Sequence, residues 1–261
     1  IQDVPLAKIG GKGLFVKEIE EALLTNEIDI AVHSMKDVPM ELPVELGISV
    51  ITKRENPLDA LISKNGESLA NLPQGATIGT SSLRRSSQLL KYRDDFKIHP
   101  LRGNVDTRLR KVEEGKYDAI LLASAGLNRL GWANRITEEI SHDILLPAMG
   151  QGALGIETRL DDTKIYDFIS TLNHEQTHYA VSAERSLVGR LDGGCQVPIG
   201  AYAKIYDNLI TLKGLVASLD GEIIYRSENI GPVDDAINIG QELGSKLLNM
   251  GANDILEKLI K

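Results

Sequence analysis

The chain has 261 residues, of which 42% are hydrophobic and 25% charged, with a formal net charge of −8 at pH 7. That size and balance predict a soluble globular protein of two or three domains, and the negative charge argues against general binding to nucleic acid or anionic membranes. A lone cysteine excludes an internal disulfide and fits a reducing compartment, and no apolar run approaches the roughly 18 residues of a membrane span.

From the start, IQDVPLAKIGGKG has neither an apolar core region nor a small-residue cleavage site, so it does not read as a signal peptide and the expected location is the cytoplasm. LFVKEIEEALLT (14–25) then gathers Leu14, Ile19, Ala22 and Leu23 on one helical face. IDIAVH (28–33), ATIGT (76–80), KIHPLRG (97–103), YDAILLAS (117–124) and ALGIET (153–158) are short, rich in β-branched residues and bounded by turn residues, which predicts strands. SSLRRSSQLLKYR (81–93) and NVDTRLRKVEEG (104–115) read as helices, the second stopping at Gly115 as a C-terminal cap. This β-α-β-α order predicts α/β domains with largely parallel sheets. The last third changes character. A helix over 175–191 leads to three closely spaced strand patterns, 198–206, 209–219 and 221–230, with Asp220-Gly221 as a hairpin signal. Helices over 234–250 and 253–260 close a small α+β domain.

Ligands of open α/β sheets sit beyond the carboxyl ends of the strands. The residues there are Ser34-Met35-Lys36-Asp37, Ser81-Ser82-Leu83-Arg84-Arg85, Arg102-Gly103 and Ala125-Gly126-Leu127. Hydroxyls, helix starts and arginines suit carboxylates or phosphates. Nine basic residues against three acidic ones between Arg84 and Lys111 give a cationic window inside an acidic protein. That window is either a solvated helix face or a site for a polyanionic small ligand. KIGGKGLF (8–15) lacks the spacing of a phosphate-binding loop, and the five histidines carry no metal-ligand spacing, so no metal is expected. DGGCQVPIG (192–200) raises a separate question, because free cysteines usually sit in cores and Cys195 follows two glycines in a turn. It is either a small packed residue or a reactive thiol.

Six blocks answer that question together. GGKGLFVKEIE (10–20), AVHSMKDVP (31–39), GTSSLRRSSQL (79–89), LRGNVDTRL (101–109), LPAMGQGALGIE (146–157) and GGCQVPIGAYA (193–203) stand in the order seen in the porphobilinogen deaminase, or hydroxymethylbilane synthase, family. The chain resembles that family over nearly its whole length. The resemblance implies two domains similar to type II periplasmic binding proteins, joined by hinges near 53–57 and 148–152, and a small C-terminal α+β domain with a three-stranded antiparallel sheet. Domain 1 would be 1–52 with 153–171, domain 2 57–147, and domain 3 175–261. Family members begin with a strand and helix bearing an Arg-x-Ser-x-Leu-Ala type motif. This sequence does not contain it, so one strand-helix unit of domain 1 is expected to be missing here.

The implied activity is a transferase of haem and porphyrin biosynthesis. It joins four porphobilinogens head to tail into linear hydroxymethylbilane and releases ammonia. The implied cofactor is a dipyrromethane held through a thioether on Cys195, where Gly193 and Gly194 leave room for a bulky adduct. The resemblance makes Asp37 the catalytic carboxylate, steadying positive charge on pyrrole nitrogens and shuttling the proton lost on rearomatisation; the local alternative is a loop aspartate capping a turn before Pro39. It gives the cofactor's acetates and propionates to Lys36, Thr80, Ser82, Arg84 and Arg85, and substrate to Arg102, Arg108, Arg129 and Gln151, with Lys12 and Phe15 on a lid. Arginine suits the task because its planar fork grips a carboxylate at two points. The working form would be a monomer whose partner is the small molecule alone. Two rivals stay open: a non-catalytic bilobal protein binding a polycarboxylate, which accounts for the arginines but not for Cys195, and a cysteine hydrolase, which needs a histidine base near it.

Overall fold

The computed structural model describes residues 11–192 and 197–260, with the backbone alone for 11–15 and 260. Three sheets organise them. The first has the order β1-β8-β2, from β1 (Ala31–Ser34), β8 (Leu154–Arg159) and β2 (Leu46–Ile51). The second has the order β5-β4-β6-β3-β7, from β3 (Asp59–Ser63), β4 (Thr77–Gly79), β5 (Lys97–His99), β6 (Ala119–Ala123) and β7 (Glu138–Ile140). The third is antiparallel in the order β11-β10-β9, from β9 (Ile199–Tyr206), β10 (Leu209–Ala217) and β11 (Ile224–Pro232). Two α/β units and a small α+β unit with a three-stranded antiparallel sheet are the expected class.

Sheet sense departs from expectation. Only β4–β5 and β4–β6 run parallel among the described pairings, whereas β1–β8, β2–β8, β3–β6 and β3–β7 are antiparallel. The parallel pairs belong to the βαβ units built through α2 (Leu83–Tyr92) and α3 (Val105–Glu113). The antiparallel ones come from β3, β7 and β8, which carry the chain into the second sheet and back, against the βα repeat. Periodicity marks a strand but not the direction of a distant neighbour.

Local chemistry sets the element ends. Ser82 caps α2 by accepting from the Arg85 N–H at 3.4 Å, and Asn104 caps α3 by accepting from the Thr107 N–H at 2.9 Å. Such caps contribute about 1 kcal/mol each. Gly115, at φ +73°, terminates α3 as its sequence position predicts. The expected strand 97–103 stops at His99. Pro100 has no N–H to give the ladder, and the Ser81 hydroxyl takes the Leu101 N–H at 3.0 Å instead. The last strand starts at Ile224, not Gly221. The Ser218 hydroxyl and the Asp220 carboxylate accept from the N–H groups of Ile223 and Glu222 at 3.0 Å, closing a wider turn. A short helix, α4 (Ser124–Arg129), follows β6, and α5 (Thr163–Ile169) follows β8. On the third sheet lie α6 (Glu175–Arg190) and α7 (Ala236–Leu247), followed by α8 (Asn253–Ile260). Their core joins Leu187, Leu243 and Leu247 to Ile210, Leu212 and Ala201, and full burial of a leucine stabilises by about 1.5–3 kcal/mol. No described helix is long and apolar enough to cross a membrane.

The chain passes between the first two sheets twice, and the two passages lie side by side. The Glu55 N–H donates to the Gly152 carbonyl at 3.0 Å, and Thr52 N–H to that of Leu154 at 3.0 Å. Gly152 is required there: its φ is +89°, and a Cβ would come within 2.4 Å of the Glu55 oxygen. Glu184 of α6, fully buried, binds both passages to the third sheet. It accepts from Arg54 Nη1 at 2.6 Å, Arg54 Nη2 at 3.1 Å, Gly150 N–H at 2.6 Å and Ala203 N–H at 2.7 Å. A bidentate arginine and two main-chain donors satisfy the carboxylate, which is the condition for burying a charge.

Candidate active site

Strand β1 runs into a single 3-10 turn, Met35–Asp37. Met35 is sunk in the core of the first sheet with Val38, Ile51 and Ala153, and its N–H donates to the Ala153 carbonyl at 3.0 Å. Lys36 and Asp37 follow this anchor directly. Lys36 is half-buried and lines a cleft of about 340 Å³; Asp37 is exposed.

The other wall comes from the second sheet. It consists of Arg85 from the first turn of α2, Gly103 and Asn104 at the start of α3, Arg108 within it, and the β6–α4 junction from Leu122 to Leu127. Three cations from three elements thus share one cleft. Burial and then the charge of Arg85 push the Lys36 ammonium down to about 8. Burial and the same charge lower Arg108. Cations that disfavour one another in a partly desolvated cleft create a standing demand for anions.

The remaining predicted residues have other neighbours. Arg84 is buried behind the cleft: Nη1 donates to Asp59 Oδ2 at 2.8 Å and to the Leu146 carbonyl at 2.7 Å. Arg85 shares that carboxylate, its Nη2 and Nε lying 2.7 and 3.0 Å from Asp59 Oδ1. Gln151, within the second passage, donates to Asp59 Oδ1 at 3.0 Å and to the Pro57 carbonyl at 2.6 Å. Thr80 Oγ1 accepts from the Ser82 N–H at 3.2 Å, so Thr80 shapes the α2 start that Ser82 caps. Arg102 is exposed on the β5–α3 loop, and its carbonyl accepts from Lys111 at 3.1 Å. Arg129, at the end of α4, donates to the Gly152 carbonyl at 2.8 Å. Lys12 and Phe15 fall in α1 (Gly11–Leu24), where their side chains lie outside the described residues, as does all of Cys195. Among the described residues no group of His, Cys, Asp and Glu could hold a metal ion.

Sequence reading missed Asp59. It is fully buried, and although burial works to raise its pKa, Arg84 and Arg85 outweigh it and hold the carboxyl well below the usual range. One carboxylate thereby orients both arginines and leaves an excess of positive charge at the cleft. The available signal was an acid at the mouth of an apolar strand, DALIS, which requires a basic partner once buried.

Comparison with known proteins agrees with the motifs. The family model described as "Porphobilinogen deaminase, dipyromethane cofactor binding domain" matches residues 1–167, and "Porphobilinogen deaminase, C-terminal domain" matches 178–249. A relative named porphobilinogen deaminase from Syntrophobacter fumaroxidans is 54% identical over 261 residues, covering 100% of this chain and 84% of that protein. One of the same name from Geobacter sulfurreducens is 55% identical over 259 residues, covering 99% of this chain and 81% of that protein. Among solved structures, the BvgS VFT2 domain of Bordetella pertussis overlaps at a TM-score of 0.36 and 22% identity, over 60% of this chain and 65% of that one.

Proposed function

The chain belongs to the porphobilinogen deaminase family, and we infer that it is a hydroxymethylbilane synthase. This transferase of tetrapyrrole biosynthesis condenses four porphobilinogens head to tail and releases ammonia. The observation that carries the reading is the cleft in which Lys36, Arg85 and Arg108 converge beside Asp37, on a chain matched from end to end by that family.

The donor set fits a dipyrromethane. Such a group brings several carboxylates, and the cleft offers an ammonium, two guanidiniums and the start of α3. In this reading Cys195 holds the group through a thioether, with its carboxylates held by Lys36, Arg85 and the α2 start at Thr80 and Ser82, and Arg84 bracing from behind. When bound, the group would supply the free pyrrole carbon to which the first porphobilinogen is joined. Arg102, Arg108, Arg129 and Gln151 serve the substrate's carboxylates, directly or through the passages they brace. Lys12 and Phe15 belong to a lid.

Asp37 is the proposed catalytic carboxylate. It directly follows a cleft-lining lysine, and its backbone is anchored by buried Met35, so it is fixed without being enclosed. A carboxylate in that position stabilises positive charge on pyrrole N–H groups better than mobile water does, because it does not reorganise during the reaction. It also accepts the proton lost when the attacking ring regains aromaticity. Removing it is expected to cost about 100-fold or more in rate. Rotation of the first two units about the adjacent passages makes room for the growing product. The reading includes a cytoplasmic monomer, which light scattering and cell fractionation test.

Intact mass measurement provides the decisive experiment. Freshly purified active protein is expected to carry a dipyrrole-sized adduct that maps to Cys195, and Cys195→Ser to lack both adduct and turnover. An active protein with a bare thiol refutes the assignment.

A further inference from the structure

Helix α6 has a second attachment besides Glu184, on the segment that carries Asp37. Arg185 Nη2 donates to the Pro39 carbonyl at 2.6 Å and to that of Met40 at 3.5 Å, while Nη1 donates to that of Val38 at 3.3 Å. One turn earlier, Val181 is fully buried against Met35 and Val38. Two turns beyond Val181, a Cβ on Gly189 would lie 3.2 Å from Met40 Cε. Positions 181, 185 and 189 recur every four residues and so form one stripe of the helix. The whole stripe faces residues 35–40.

The chemistry of the contact is specific. The hydrogen-bond partners of Arg185 among the described residues are all main-chain carbonyls. A guanidinium is a rigid planar fork, so it fixes the positions of several acceptors at once; a lysine ammonium is a single point on a flexible stem. Main-chain acceptors also cannot swing away as a partner side chain can. The held residues directly follow Asp37, and the chain leaves α6 at Arg190, five residues before Cys195.

We propose that Arg185 is a positioning residue for the condensation: through the carbonyls of Val38, Pro39 and Met40 it sets where Asp37 stands relative to α6. This rests on the reading of Asp37 as the catalytic carboxylate.

The test uses purified protein carrying its cofactor, with Arg185→Gln, Arg185→Lys, Asp37→Asn and the double variant Asp37→Asn/Arg185→Gln. Loss of a positioning contact is expected to lower kcat for porphobilinogen consumption about 10- to 100-fold in R185Q, with KM held within about threefold. R185K recovers only part of that loss, because one ammonium cannot serve the carbonyls together. The adduct mass at Cys195 stays complete in both. Amide exchange quickens across residues 35–42 in R185Q and stays unchanged in β9 and β10. The double variant is no slower than D37N, since the arginine acts only through Asp37. Full kcat in R185Q, loss of the adduct, unchanged exchange at 35–42, or losses that multiply in the double variant each overturn the proposal. Should R185Q fail to fold, R185K decides by the same split of kcat from KM. D37N at full rate removes the catalytic reading and this proposal together. A slow D37N beside a full-rate R185Q removes this proposal alone.

Discussion

Asp59→Asn probes the brace behind the cleft. The carboxylate accepts from Arg84, Arg85 and Gln151 and is fully buried. The amide has nearly the same shape but no charge, so two buried guanidiniums lose their counter-ion. Removing one partner of a buried pair costs about 3–5 kcal/mol. The lower end applies here, because Arg84 keeps the Leu146 carbonyl and Arg85 that of Leu121 at 3.1 Å. For a chain of this length, ~3 kcal/mol corresponds to a fall in Tm of about 6–12 °C. The sign with pH is fixed by the depressed pKa. Asp59 contributes its stability above its unfolded value of 3.8 and loses it as pH falls through the lower folded value. The gap between wild type and D59N is therefore complete at pH 7 and closes only in stronger acid. Thermal unfolding followed by circular dichroism at pH 7 gives the full gap, and at pH ~3 a gap that has begun to narrow. KM should rise as well, since Arg85 lines the cleft. A D59N protein melting within about 2 °C of wild type at pH 7 refutes the brace.

Two further outcomes follow from the same geometry. The charged form of Lys36 is the one that binds carboxylate, and burial with Arg85 places its loss near pH 8. Attachment of the cofactor to the cofactor-free protein should therefore weaken as pH rises past about 8 in wild type, and Lys36→Arg should remove that dependence because the guanidinium stays charged; a dependence that persists in K36R belongs to another group. Gly152→Ala introduces a Cβ 2.4 Å from the Glu55 oxygen at a φ of +89°, whereas Gly131→Ala meets nothing within 4 Å at φ +73°. Denaturant titration should show G152A destabilised by about 1–3 kcal/mol and by more than G131A; equal losses would mean that the close approach of the two passages costs nothing.

Much of this was legible in the chain itself, and the rest was hidden for a common reason. Helix α6 and strands β9 and β10 span 16, 8 and 9 residues, long enough to declare themselves. β7, Glu138–Ile140, is three residues with two acids and carries no such signal. In the site, Lys36 and Arg85 could be read because they follow strand ends, and Arg108 through the family resemblance. Their anchors could not. Asp59 meets Arg84 across 25 residues, Arg54 meets Glu184 across 130, and Arg185 meets Pro39 across 146. A sequence displays each charge, but pairing is decided by the fold. Only the unusual cost of burying a charge hints that a partner exists at all.

The paired passages have a consequence for how such a molecule can be assembled. The second sheet, with its helices and its own cores, leaves the chain at Glu55 and rejoins it at Gly152, two residues in hydrogen-bond contact. Topologically it is a cassette whose leads emerge from one socket. A peptide bridge of a few residues would close the gap left by removing it. Exchange of whole cassettes between relatives is therefore constrained at that socket, where Glu55, Gly152 and the Glu184 knot must still mate, and where the cassette meets the third sheet through Asp143 and Leu146.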